Sequence, residues 1–191
     1  MKTRDFVAMV FLAAKGGVQG KTKLQKLVYF VGILTGKLED LGYRPHFYGP
    51  YSEEVAQCIT HLKTIGALEQ QVSEWGCNSS GFEIRRYDFS LTSPGQMYAN
   101  AIRNRNSDTW AKIEEAFTLY NASGDKDYMT LSIAAKTYFL LDQKLGQKRA
   151  PASNQELSRL ASKFGWTVSE QQVSSAVDYL VELKLVDRVY K

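Results

Sequence analysis

Glycine stops set the length of what the first third of this chain can build. Gly16-Gly17, Gly36 and Gly66 each close a run of apolar residues at helical spacing, and glycine just past such a run is the usual end of a helix. Phe6, Val10, Phe11 and Ala14 predict an amphipathic first helix over residues 3–14. Leu24, Leu27, Val28, Val31 and Leu34 predict a second, with Thr22 as its N-cap and the link "GGVQG" before it. A short helix is expected over 37–41. Val55, Cys58, Ile59, Leu62 and Ile65 mark a further helix, capped by Ser52, with Glu53 and Glu54 in the first turn where the helix dipole favours acids. No apolar run approaches the roughly 18 to 20 residues that a membrane span requires.

Between these helices lies "RPHFYGPY", whose proline and glycine exclude a long helix and leave room only for a short extended piece. After Gly66, "ALEQQ" and "FEIRRYDFSLT" read as two strands joined by the polar "VSEWGCNSSG", with Phe82, Ile84, Tyr87, Phe89 and Leu91 supplying an imperfect alternation. "TSPGQMYANAI" starts another helix, with Thr92 or Ser93 as cap and Pro94 near its first position. Helix, turn, helix and hairpin is the order of a winged helix. The expected fold is therefore mainly α with a small β-hairpin, a winged-helix-like domain over residues 1–106.

Two more helices carry Trp110, Ile113, Phe117 and Tyr120, then Leu131, Ala134, Ala135, Tyr138 and Leu141, with "NASGDKD" as the turn between them. They form a helical connector over 107–149, ending at the polar, basic "GQKRAPAS". Beyond it Ser153 with Glu156, and Ser169 with Gln172, have the spacing of two capping boxes. The first opens a helix with Leu157, Leu160, Ala161 and Phe164; the second opens one with Val173, Ala176, Val177, Leu180 and Leu183. "GWTV" connects them and "LVDRVY" reads as a closing strand, so residues 150–191 are expected to form a smaller helix-turn-helix-like segment.

The chemistry-bearing residues favour binding over catalysis. "GGVQGKT" resembles a phosphate loop, but three residues separate Gly16 from Gly20 where the pattern needs four, and the loop follows a helix-like segment. His46, Cys58, His61 and Cys77 could in principle hold zinc, yet no CxxC knuckle is present and Cys58 continues an apolar stripe. No catalytic arrangement and no cofactor motif stands out, so no enzyme, metal or cofactor is expected. The 191 residues carry 24 basic and 20 acidic side chains, a net charge of +4. That mild excess permits contact with nucleic acid without demanding it. Lys23, Lys26, Arg85 and Arg86 are the candidates for phosphate or acidic-partner contact, the two arginines because wings often touch DNA. Tyr48 and Tyr51 are candidates for a partner-contact face, or else pack the turn against the first two helices. Two cysteines make no disulfide framework, and a reducing, cytoplasmic setting is expected.

At Lys23-Leu24-Gln25-Lys26-Leu27-Val28-Tyr29 and again at Tyr48-Gly49-Pro50-Tyr51-Ser52 the chain resembles the YwgA-like proteins. More distantly it resembles the Panacea domain of SocA-like antitoxins. Leu62 to Gly66 and the "LTSPG" step, Leu91 to Gly95, fit the same pattern, which covers about residues 5 to 105. The resemblance implies a binding module without a catalytic set. It leaves three roles open: a regulatory protein that binds DNA, protein or both; an antitoxin-like module that neutralises a partner toxin; or an adaptor.

Overall fold

Six consecutive residues, Phe6 to Phe11, are buried in helix α1 (Thr3–Ala13). A surface helix buries one stripe; a helix buried all round is a core element. The expectation of an amphipathic α1 therefore falls, and the helix is an axle that other elements surround. The computed structural model describes residues 1–77, 83–145 and 153–187. Among them are eight α-helices and a three-stranded antiparallel sheet, and they divide into two compact units. The first comprises residues 1–42 and 52–117; the second comprises 43–51 and 118–191.

In the first unit α1 packs against α2 (Lys21–Leu34), α3 (Glu53–Thr64), α4 (Ser93–Arg105) and the sheet. The link "GGVQG", expected to be a plain connection, holds strand β1 (Gly17–Gln19), which pairs antiparallel with β3 (Glu83–Leu91). Val18 is its one buried residue, so the strand is too short to show an alternation. The second helix starts on Gly20, at φ +87°, rather than being capped by Thr22. A single 3-10 turn, Glu39–Leu41, occupies the place of the short helix.

β2 (Leu68–Cys77) pairs with β3 from Leu68 opposite Leu91 outward, giving the strand order β1-β3-β2. β2 runs well past "ALEQQ", because a polar strand in a two-stranded arm has no core face to demand apolar alternation. Phe89 and Leu91 are buried at the sheet's inner end, while Arg86, Asp88 and Ser90 occupy the other face. Thr92 caps α4, accepting from the Gly95 amide at 3.1 Å and donating to the Gly66 carbonyl at 2.6 Å. Gly95 sits where a Cβ would fall 1.9 Å from the Ala67 carbonyl oxygen. Helix α5 (Ser107–Ala122) follows, its last turn belonging to the second unit.

The second unit packs α6 (Tyr128–Leu145), α7 (Asn154–Ser162) and α8 (Glu170–Glu182) around Leu131, Leu157, Trp166, Val173 and Leu180. Ser169 and Gln172 form the full reciprocal capping box of α8; Ser153 accepts from the Glu156 amide as the cap of α7. Phe164 lies beyond the end of α7 and stacks on Trp166, their ring centroids 5.0 Å apart. Leu185 to Asp187 are not in a strand; the remainder of "LVDRVY", and Gly146 to Ala152 of the expected boundary, lie outside the described residues.

Candidate functional site

The middle residue of the Lys-Leu-x-Lys-Leu pattern is Gln25, and it is where the chain's two most specific motifs meet. Gln25 is buried in α2. Its Nε2 donates to the Ser52 carbonyl at 2.9 Å and its Oε1 accepts from the Ser52 amide at 3.1 Å. Ser52 in turn accepts from the Val55 amide at 3.0 Å, as the N-cap of α3, and donates its hydroxyl to the Leu41 carbonyl. One buried glutamine and one buried serine thus fix the exit from the aromatic turn.

The turn itself, Tyr43–Tyr51, belongs to the second unit. Arg44 and Tyr51 exchange both backbone hydrogen bonds at 2.9 Å, closing the loop at its base. The His46 carbonyl accepts from the Gly49 amide at 2.8 Å and from Trp166 Nε1 at 2.7 Å. Trp166 is itself buried, edge-on to Phe139 and stacked with Phe164. Gly49, at φ +92°, and Pro50 are buried, and a Cβ on Gly49 would press within 3.0 Å of the Lys136 side chain on α6. The tyrosines divide. Tyr51 is half-buried beside His46, ring centroids 5.1 Å apart, whereas Tyr48 is 50 % exposed and Phe47 next to it 68 % exposed. Their rings meet edge to face at 5.0 Å. Phe47 was missed by sequence reasoning; its place at the tip of a Pro-bounded turn was the available signal.

The basic candidates also separate. Lys26 is 1 % exposed and ranks among the largest fully buried side chains of the described residues, so it does not face any external phosphate. Its position on the inward side of α2 reflects nine consecutive buried residues, Leu24 to Gly32, which no single-stripe pattern predicts. Lys23 is half-buried and Arg85 is exposed. Arg86 is held by Asp88 on the same face of β3, Nη2 to Oδ2 at 2.8 Å and Nε to Oδ2 at 2.9 Å. Lys21, in the Gly-Lys-Thr stretch, lies over the Tyr87 ring at 3.8 Å. That stretch does follow a strand, contrary to expectation, while its glycine spacing still departs from a phosphate loop.

A separate polar cluster joins α1, α3 and α4. Arg4 donates from Nε to the Tyr98 hydroxyl at 3.0 Å and from Nη1 to His61 Nε2 at 2.9 Å, and Tyr98 donates to Asp5. A guanidinium only donates, so His61 Nε2 is the acceptor in this contact. Burial, reinforced by Asp5, pushes the Tyr98 hydroxyl up. Burial likewise pushes the neighbouring Cys58 thiol up, away from the thiolate a nucleophile needs. Among the described residues no group of three or more His, Cys, Asp and Glu side chains converges as a metal site would require. Nor is any helix long and apolar enough to cross a membrane.

No family model matches the chain. Over 90 residues it is 32 % identical to the uncharacterised protein YwgA of Bacillus subtilis (strain 168). The match takes in 47 % of this chain, which spans about half (50 %) of the length of that curated relative.

Proposed function

We propose that this chain is a non-enzymatic binding module that docks a protein partner on the Phe47–Tyr48 turn of its second unit, and that its first unit is winged-helix-like. One observation carries the reading: two adjacent exposed aromatic rings stand on a backbone fixed from beneath by Trp166, Gly49 and the Arg44–Tyr51 pairing. Aromatic side chains dominate the energetics of protein interfaces, and a turn already held in place loses little entropy on binding. The winged-helix-like reading is supported by the order α1, β1, α2, α3, β2, β3 and the strand order β1-β3-β2. A toxin, the partner that a Panacea-like antitoxin would have, and the client of an adaptor are both proteins such a surface could serve.

A photo-crosslinking residue placed at Phe47 or Tyr48 of the full chain, in its own host, tests this. The same protein should be captured from both positions and not from exposed Lys112 on α5. Capture of nothing, or of the same species from all three positions, would sink the reading.

DNA binding is a second reading, favoured by exposed Arg85 on the hairpin. Against it, the helix that precedes the hairpin opens with exposed Glu53 and Glu54, whose carboxylates repel phosphate.

A further inference from the structure

Lys136 lies beneath the aromatic turn. Its stem passes under Gly49 and its ammonium lies 5.6 Å from the centre of the Trp166 ring. It is half-buried, and among the described residues it has no ion-pair partner. Burial lowers its pKa, the mark of a cation that has lost water without gaining a counter-charge. The turn above adds no acid: Tyr43–Tyr51 contains Arg44, which is exposed, and His46, but neither Asp nor Glu. A half-buried cation without a counter-charge thus lies under a turn that carries Arg44 and two exposed aromatic rings.

We infer that the turn recognises an acidic peptide segment, seating a carboxylate against Lys136 and apolar side chains on Phe47 and Tyr48. This rests on the protein-binding reading above and names the chemistry of the partner. A half-desolvated ammonium gains more from an incoming carboxylate than a fully hydrated one, because part of its desolvation has already occurred in the free protein. The aromatic pair supplies contact area, and the charge supplies register and selection against basic segments.

The test is selection of a random peptide library displayed on phage against the immobilised full chain, with Phe47→Ser/Tyr48→Ser protein as the counter-selection. The expected winners carry Asp or Glu next to apolar residues, and their affinity falls as salt is raised. Lys136→Met should weaken them about tenfold, the scale of a partly buried charge pair. Replacing the peptide's acid by its amide should cost about the same on the wild-type protein and little on Lys136→Met, a cycle that keeps the result readable if the variant folds poorly. Winners that depend on Phe47 and Tyr48 but are neutral or basic, and indifferent to Lys136, would overturn this inference and leave the protein-binding reading standing. Selection of no turn-dependent peptide, or Lys136-dependent binding of a single-stranded oligothymidylate in its place, would overturn both.

Discussion

Gln25 makes two hydrogen bonds to the backbone of a single residue, and that geometry explains why an amide is needed there. The Ser52 backbone offers one donor and one acceptor in the interior, and only a side chain carrying both can satisfy them together. Gln25→Leu should keep the shape of the site while leaving both groups unpaired, and lower stability by about 3 kcal/mol. Urea unfolding measures it; a loss below about 0.5 kcal/mol would mean that water takes the place of the amide. From the sequence, Gln25 is an ordinary polar residue between two leucine-containing steps. Its importance depends on a partner 27 positions away, which helical periodicity does not encode. Lys26 was misleading for a related reason: the pattern that marks one apolar face gives no warning that the opposite face is covered as well.

Among the elements, α4 is the one whose sequence leaves least freedom. Thr92 fastens its first turn to Gly66, and Gly95 lets the helix backbone reach the Ala67 carbonyl at the start of β2. Gly95→Ala would normally favour a helix by up to about 1 kcal/mol. Here the added methyl meets backbone, so the substitution should instead destabilise the protein by about 3 kcal/mol or prevent folding. Thermal denaturation decides between the two signs, and a stabilised variant would refute the packing argument. The helices were largely legible, because serine or threonine caps mark the starts of α3, α4 and α8, apolar spacing marks α3 and α8, and Gly66 marks the end of α3. β1 was not, since three residues flanked by glycines carry no periodicity. The outer part of β2 was hidden too, because Val72 to Cys77 reads as a polar linker and its strand character comes from pairing with β3.

At the scale of the whole molecule, the chain is partitioned in a way that no linear reading displays. Residues 43–51 lie between two segments of the first unit yet fold with residues 118–191. The aromatic content of the turn was plain in the sequence; its support by Trp166 and Lys136 was not, because tertiary contact alone brings them together. The second unit also carries a pH signature. Burial, with Glu182 and Asp125 nearby, pushes Tyr179 up to about 12, and burial raises Tyr120 further. Both hydroxyls are neutral below pH 10, the ordinary tyrosine value, so their full contribution to stability is present there. In the unfolded chain they ionise near that value, so stability should fall as pH rises from 10 towards 12. Unfolding midpoints measured across that range should decline less steeply in Tyr179→Phe, and an unchanged slope would contradict the assignment.

The hydrogen bond between Trp166 and His46 joins residues 120 positions apart. A chain made from its N-terminus exposes the aromatic turn long before the indole that supports it has been synthesised. Contacts this distant in sequence are also slow to form, since a large loop must close before they give any return. The surface proposed to recognise a partner is thus among the last parts of the protein to take shape. A ribosome-bound chain that stops short of Trp166 would present the two rings on an unsupported loop, so the recognition proposed above would be reserved for protein whose second unit has already folded.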